Sequence, residues 1–144
     1  TGAITVVSPS GQEAAVAKSH LDITVRVCYS NPPAHGGLIV KTVLSNKELE
    51  QGWRSELEGM CSRIKTMRAA LVKGLAERGI DEDFSYIEKQ RGMFSFSGLA
   101  DDTVAWLKEH KGIYVVGGGR INVAGLTTSN IDYVCDSIAE ALHS

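Results

Sequence analysis

Residues 26–36 hold the densest group of chemically capable side chains in the chain. Arg26 offers a guanidinium, Tyr29 a phenol, Ser30 a hydroxyl and Asn31 a carboxamide, and two prolines follow them directly. Because proline fixes its own φ and restricts the residue before it, this segment must be a stiff loop. Stiff loops are good places for binding groups. The alternative is structural, with Arg26 only complementing the dipole at the end of a helix.

A second candidate segment, residues 91–98, alternates aromatic and small side chains. Phe94 and Phe96 lie two residues apart, so on a strand they would share one face. From spacing alone, this segment predicts a hairpin strand whose aromatic residues belong to a core.

The third segment, residues 117–125, begins with three glycines directly before Arg120. Glycine lets the backbone approach a neighbouring group closely. The glycines do not follow the dinucleotide-binding pattern and no helix starts after them, so phosphate binding is disfavoured. An arginine at the start of a strand can hold a carboxylate through two parallel hydrogen bonds. The alternative is an exposed arginine at a hairpin turn.

The cysteines and histidines do not form a metal-ligand pattern, and no metal site is expected. Cys28, Cys61 and Cys135 are odd in number and widely spaced, which favours a reducing compartment over a disulfide framework. Cys61 and Cys135 lie on apolar helix faces and are expected to be small core residues. Nothing else in the sequence supports a Cys28 nucleophile with His35 as its base.

The elements that must position the first segment are a strand and two helices. We predict a strand at residues 4–7, and then a helix that begins at a Ser10–Glu13 capping box and runs to about residue 27. A second helix is predicted at about residues 38–44. Ser45 or Asn46 can cap the helix that follows.

That next helix is predicted to be long, from about residue 47 to 78. Its apolar residues recur at steps of three or four, the spacing of one buried stripe; they are Leu49, Trp53, Leu57, Met60, Ile64, Met67, Leu71 and Leu75. Gly79 is well placed as a left-handed cap. At 1.5 Å per residue, the helix would be about 48 Å long, enough to run from one domain into another.

Beyond this helix the pattern predicts a small sheet with helices packed on one face. Four short strands are predicted, at residues 84–87, 93–97, 113–116 and 121–123. A helix capped by Asp101 or Asp102 separates the two strand pairs, and a helix at residues 129–142 ends the chain. The order β-β-α-β-β-α after a long helix predicts an α/β fold class, with a small domain of α+β type.

Composition limits the classes of function. With 144 residues, 43% hydrophobic content and a net charge of −2, the chain can form a compact domain but has no electrostatic footprint for nucleic acid. No apolar run approaches the length of about 20 residues that a membrane span needs. We therefore expect neither a nucleic-acid nor a membrane partner.

Three motifs together resemble a known family. Residues 29–36 (YSNPPAHG), 92–98 (GMFSFSG) and 119–125 (GRINVAG) resemble, in order and spacing, the C-terminal part of the aspartate and aromatic aminotransferases. These are class I, fold-type I, pyridoxal-phosphate-dependent enzymes. The resemblance extends from residue 1 to about residue 142.

The resemblance implies roles for particular residues. Arg120 matches the arginine that grips the α-carboxylate of the substrate, and Phe94 matches an aromatic residue that lines the substrate pocket. Arg26 matches the arginine that binds the distal carboxylate in the neighbouring subunit's active site. Residues beside that shared site are matched by Tyr29, Ser30 and Asn31. The implied partners are dicarboxylic amino acids, 2-oxo acids and a second subunit in a homodimer.

One feature of the family is missing from the sequence. The family's cofactor lysine lies in a Ser-Lys-x-x-Gly-x-x-x-x-Arg motif, and none of the eight lysines has that setting. We therefore expect no catalytic and no cofactor-binding residue on this chain. Pyridoxal 5'-phosphate is implied for the intact enzyme only, held by residues upstream of position 1.

The resemblance also implies a division into domains. Residues 1–46 would be a remnant of the large cofactor-binding domain, and residues 47–144 the small C-terminal domain, entered by the long helix. Because residues 1–46 would lack their packing partners, we expect them to be looser than the rest.

The function expected from these observations is that of a C-terminal fragment of an aspartate aminotransferase. The intact enzyme would transfer an amino group between L-aspartate and 2-oxoglutarate, and the fragment alone would be inactive. A cytoplasmic location is expected, with a mitochondrial form as the alternative. The alternative function is a stand-alone, non-catalytic interaction module derived from the small domain.

Overall fold

The structure, a computed structural model, describes residues 2–143. The chain divides into two compact units, residues 1–55 and residues 56–144. The helices and strands are α1 (Gly11–Cys28), α2 (His35–Ser45), α3 (Lys47–Ala76), α4 (Tyr86–Lys89), β1 (Phe94–Phe96), α5 (Asp101–Lys111), β2 (Arg120–Asn122), a 3-10 turn (Val123–Gly125) and α6 (Ile131–His143).

The first unit begins with α1, whose start confirms the predicted cap. The Ser10 hydroxyl accepts a hydrogen bond from the Glu13 amide at 3.2 Å, which satisfies one of the free amides of the first turn. The predicted strand at residues 4–7 is wrong. These residues pair with no strand in the described chain, and strand structure exists only where a neighbouring strand receives its hydrogen bonds.

Helix α2 begins at His35, earlier than predicted, and α3 follows it after Asn46. The Asn46 side chain accepts hydrogen bonds from the amides of Glu48 and Leu49 at 3.0 and 3.2 Å. It is therefore the cap of the long helix. Neither α1 nor α2 buries a side chain, so these two helices contribute no core of their own.

The second unit has a core, which is built on the C-terminal half of α3. Gly79 ends the helix region with a φ of 69°, as predicted. Gly74 allows a close approach of α6, because a Cβ there would lie 2.7 Å from the Cys135 sulfur. The buried core consists of Met67, Leu71, Leu75, Phe84, Ile87, Leu99, Leu107, Val123, Leu126, Cys135, Ile138 and Ala141.

The strand predicted at residues 84–87 is wrong, because these residues form a turn that leads into α4. The Asp83 carboxylate accepts hydrogen bonds from the amide and hydroxyl of Ser85, at 2.8 and 3.0 Å. The Ile87 amide then donates to the Phe84 carbonyl. A side-chain carboxylate that binds the backbone two residues ahead favours a turn over a strand.

The sheet contains two strands among the described residues. β1 and β2 pair antiparallel, with Phe94 opposite Asn122 and Phe96 opposite Arg120. The strand predicted at residues 113–116 is reduced to a single bridge between Val116 and Arg120, and Val123 already belongs to the 3-10 turn. The second unit is therefore helix-rich, and the predicted four-strand order is wrong.

Helix α5 is not capped by Asp101 or Asp102, because Ala100 occupies the cap position without a side-chain hydrogen bond. Both aspartates lie in the first helical turn, where negative charge favours the helix dipole. Cys135 is buried as predicted, but Cys61 is exposed. The buried stripe of α3 starts only beyond Cys61, which explains that error. Within residues 2–143, no helix combines the length and the hydropathy needed to cross a bilayer.

Candidate functional site

The β1–β2 ribbon brings together Phe94 and Arg120, the two candidate residues of the second unit. Phe94 and Phe96 flank the buried Ser95, so they point to the opposite, exposed face of β1. Arg120 lies directly opposite Phe96, and its Cζ is 5.3 Å from the centre of the Phe94 ring. This is the distance of a cation–π contact.

The Arg120 guanidinium is available to an anion. Arg120 is exposed, and among residues 2–143 no carboxylate forms an ion pair with it. The Phe94 ring beside it is 48% exposed. A planar guanidinium with free donors on a half-exposed aromatic surface can bind a carboxylate through two hydrogen bonds while the ring contacts an apolar group.

The backbone that carries Arg120 is held tightly. Arg120 and Val116 exchange backbone hydrogen bonds of 3.1 and 3.2 Å. The carbonyl of Gly119 accepts from both the amide and the hydroxyl of Ser97, at 2.8 and 2.6 Å. Gly119 has a φ of 71°, and a Cβ there would lie 2.9 Å from the Leu99 nitrogen. Only glycine fits this position, which fixes the start of β2.

A buried arginine supports the ribbon from below, and the sequence analysis missed it. The Arg68 side chain on α3 is 2% exposed. It donates to the carbonyls of Ile87, Gly92 and Phe94 at 3.0, 2.8 and 3.0 Å, and to the Ser95 hydroxyl at 2.7 Å. Burial lowers the pKa of Arg68. The signal was present, because Arg68 lies within the apolar stripe of α3.

Gln90 extends this hydrogen-bond network along β1. Its side-chain oxygen accepts from the Ser95 hydroxyl and from the Phe96 amide, both at 2.8 Å. Its side-chain nitrogen donates to the Phe96 carbonyl at 2.9 Å. Gln90 thus satisfies backbone groups that a third strand would otherwise pair.

A cavity of about 740 Å³ lies beside this network, between α3 and the turn before β1. Phe94 and Arg120 do not line it, so the cavity is separate from the candidate site. The residues around it include Met60, Ile64, Arg68, Arg91, Met93 and Ala124.

The remaining candidate residues lie in the first unit. Arg26 is exposed in the last turn of α1 and, among the described residues, takes part in no ion pair. Tyr29 is 58% exposed. Ser30 adopts a φ of 63°, rare for a residue with a side chain, and the Asn31 amide donates to the Tyr29 carbonyl at 2.8 Å. These residues form a group of their own, while Phe94 and Arg120 belong to the second unit.

The lysines of this chain are exposed or half-buried in the structure. A lysine that forms a Schiff base is activated by removal from water or by a neighbouring cation. Seven of the eight lysines are exposed, and the half-buried Lys111 is paired with Glu140. Within the part of the chain that the structure describes, no group of three or more metal-ligating side chains is present.

Comparison with known proteins relates the whole chain to one family. The family model described as aminotransferase class I and II matches residues 1–138. An aspartate aminotransferase from Haemophilus influenzae is 47% identical over 141 residues, which cover 98% of this chain and 36% of that protein. An aromatic-amino-acid aminotransferase from Pseudomonas aeruginosa is 40% identical, over 96% of this chain and 35% of that protein.

Solved structures give the same result for the fold. An aromatic-amino-acid aminotransferase from Burkholderia pseudomallei, covalently bound to pyridoxal phosphate, matches with a TM-score of 0.87 and 49% identity, over 94% of this chain and 34% of that chain. An aromatic aminotransferase from Psychrobacter, cocrystallised with aspartic acid, matches with a TM-score of 0.88 and 39% identity, over 96% of this chain and 35% of that chain. The chain thus spans about a third of the length of the relatives it matches.

Proposed function

Because this chain belongs to the family of class I and II aminotransferases, we propose that it is the C-terminal, substrate-binding part of an aspartate aminotransferase. Its high identity over about a third of each relative supports this proposal. The intact enzyme would transfer the amino group between L-aspartate and 2-oxoglutarate.

The observation that carries the proposal is the pairing of Arg120 with Phe94. The guanidinium is exposed, lies against the aromatic ring and has no carboxylate partner in the described chain. In the proposed role, Arg120 binds the substrate α-carboxylate and Phe94 contacts the adjoining carbon chain. Two contacts of this kind fix the direction of the Cα–H bond, and a fixed direction lowers the barrier to proton removal.

Arg26 is proposed to supply the second cation, toward the active site of the neighbouring subunit in a homodimer. A dicarboxylic substrate needs two guanidinium groups at a fixed separation, and arginine remains charged at any physiological pH. Arg26 is exposed and forms no ion pair with any residue that the structure describes, which supports this role. Tyr29, Ser30 and Asn31 are proposed to lie beside the same shared site.

Pyridoxal phosphate is proposed to be held by residues outside this chain. When bound, it supplies an electron sink for the carbanion that forms at the substrate Cα. None of the eight lysines lies in a Ser-Lys-x-x-Gly-x-x-x-x-Arg motif, which supports this proposal. The part proposed for this chain is to bind the substrate carboxylates and orient them. The isolated chain is therefore proposed to be inactive.

The proposed domains are a remnant of the large domain at residues 1–46 and a small domain at residues 47–144. The lack of any buried side chain in α1 and α2 supports a need for partners. A cytoplasmic location remains a proposal, since the relatives include a mitochondrial protein from Dictyostelium discoideum and a cytoplasmic one from Oryza sativa.

Two measurements test the proposal. The encoding gene is read upstream of position 1, and aspartate transamination is assayed with the purified 144-residue chain and with the complete gene product, both with added pyridoxal phosphate. We expect an upstream Ser-Lys motif, activity in the complete product and none in the short chain. Stoichiometric cofactor uptake with turnover by the short chain would refute the proposal. A natural start close to position 1 would favour the stand-alone interaction module instead.

A further inference from the structure

We propose that Arg68 is a positioning residue that sets the placement of Phe94 and Arg120 for substrate binding. The inference rests on the proposed function, because it assigns a role toward the substrate that these two residues would bind. Arg68 itself is buried beneath the ribbon, so it would act through β1 and not by touching the substrate.

The first step in the argument is the way that Arg68 holds β1. One terminal nitrogen of its guanidinium binds the carbonyls of Gly92 and Phe94, at 2.8 and 3.0 Å. The other binds the Ser95 hydroxyl at 2.7 Å and the Ile87 carbonyl at 3.0 Å. A rigid planar fork with four acceptors fixes the height and the rotation of the strand relative to α3.

The second step is the way that β1 carries β2. The Ser97 amide donates to the Gly119 carbonyl at 2.8 Å, and the Val123 amide donates to the Met93 carbonyl at 2.9 Å. These bonds lie on either side of the Phe94–Arg120 contact. A displacement of β1 therefore moves Phe94 directly and Arg120 through the ladder.

The third step is the chemistry of the four acceptors. All are neutral oxygens, and no described carboxylate pairs with Arg68. A buried charge without an opposite charge is costly, and a lysine could not serve four acceptors spread around a plane. The arrangement thus requires an arginine. The variant Arg68→Lys, which keeps the charge but loses the planar set of donors, therefore tests whether the hydrogen-bond geometry matters.

Arg78 offers a matched control. It lies just beyond the end of α3, and its guanidinium makes three hydrogen bonds, to the Asp136 carboxylate, the Gly74 carbonyl and the Asp132 carbonyl. The two bonds to aspartates tie the end of α3 to α6, the bond to Gly74 is local to the end of α3, and none of the three reaches the ribbon. Its loss should lower stability without moving Phe94 or Arg120.

The experiment compares Arg68→Met, Arg68→Lys and Arg78→Met in the complete gene product. Steady-state kinetics with L-aspartate give KM and kcat, and thermal unfolding gives Tm. We expect Arg68→Met to lower kcat/KM by about 10- to 100-fold, mainly through KM, the scale expected of a small misplacement. The kcat/KM of Arg68→Lys should lie between the values for Arg68→Met and the wild type. Arg78→Met should lower Tm with KM unchanged.

A second readout does not depend on activity. Amide exchange at Ser97 and Val123 in the 144-residue chain should speed up by about tenfold in Arg68→Met and stay unchanged in Arg78→Met. If Arg68→Met fails to fold, Ser95→Ala is used in its place, because it removes one acceptor of Arg68. It should change KM and amide exchange in the same directions but by smaller amounts.

The outcomes separate the inference from the proposed function. Equal changes in KM and in exchange for Arg68→Met and Arg78→Met would reduce Arg68 to a general stabilising residue and overturn the inference. A complete wild-type product without any transamination would refute the proposed function, and exchange at Ser97 and Val123 would then decide whether Arg68 positions the ribbon.

Discussion

The turn before Arg120 allows the packing argument to be tested with two adjacent glycines. Gly118 and Gly119 have nearly the same φ, 74° and 71°. They differ in their surroundings. A Cβ on Gly118 would meet nothing within 4 Å, whereas one on Gly119 would lie 2.9 Å from both the Leu99 nitrogen and the Ser97 hydroxyl oxygen.

The expected magnitudes follow from that difference. A left-handed conformation costs a residue with a side chain about 1–2 kcal/mol, and both Gly118→Ala and Gly119→Ala incur this cost. Only Gly119→Ala adds a clash with backbone atoms that cannot rotate away, which costs about 1–3 kcal/mol more. We therefore expect a loss of about 1–2 kcal/mol for the first variant and about 2–5 kcal/mol for the second.

Urea unfolding of the 144-residue chain measures both losses. The chain has two tryptophans, Trp53 and Trp106, and a Trp53→Phe background leaves Trp106 of α5 as the reporter of the second unit. The two alanine variants are compared in that background. If Gly119→Ala is no less stable than Gly118→Ala, the close packing of Gly119 against Leu99 and Ser97 does not hold the start of β2, and the reasoning fails.

Two further predictions concern thiols and acid stability. Burial raises the pKa of the Cys135 thiol to about 11, while Cys28 and Cys61 are exposed. A thiol reagent at pH 8 should therefore modify Cys28 and Cys61 rapidly and Cys135 only after denaturation. Equally fast modification of all three thiols would contradict the burial of Cys135. The hydrogen bond from Arg78 lowers the pKa of the Asp136 carboxyl in the folded chain. The pair therefore contributes to the free energy of unfolding above the unfolded pKa of an aspartate, near 3.9. This contribution is lost as the pH falls through the lower folded pKa. Asp136→Asn should therefore remove this acid-sensitive part of the unfolding free energy. If the unfolding free energies of the wild type and Asp136→Asn change identically with pH below about pH 4, the Asp136–Arg78 pair does not stabilise the fold.

The helices were predictable because their signals are local and repeated. The Ser10 cap and the left-handed Gly79 depend on residues within one or two turns, and the structure confirms both. The buried stripe of α3 is confirmed only from Met67 onward, and the prediction is wrong for its first half, where Leu49, Trp53, Leu57 and Met60 are exposed. The strand predicted at residues 84–87 failed because one carboxylate, that of Asp83, redirects the backbone. A pattern of alternating apolar residues carries no information about such a side-chain hydrogen bond.

The candidate site was predictable only in part, and for a different reason. Phe94 and Arg120 were identified from motifs and a resemblance, and the strand register then places them in contact. Arg68 was missed because its acceptors lie 19 to 27 residues away along the chain. A charge within an apolar stripe signals a buried partner, but the sequence does not identify that partner.

The looser packing expected of residues 1–46 stays a prediction. Helices α1 and α2 leave apolar residues such as Ile23, Val27 and Leu38 exposed, at 62%, 80% and 56%. Such faces normally pack against other parts of a protein. Amide exchange along the dilute chain tests this, since strong protection throughout residues 1–46 would contradict it.

The most direct test of the central claim is the substrate dependence of two arginine variants in the complete gene product. Arg120→Ala removes the proposed partner of the α-carboxylate, which every amino acid has, whereas Arg26→Ala removes the partner of the distal carboxylate alone. We predict that Arg120→Ala lowers kcat/KM by about 100-fold or more for both L-aspartate and L-phenylalanine. Arg26→Ala should lower it for L-aspartate only. An Arg120→Ala enzyme with unchanged kcat/KM for both substrates would contradict the claim that this chain forms the substrate-binding part of an aminotransferase.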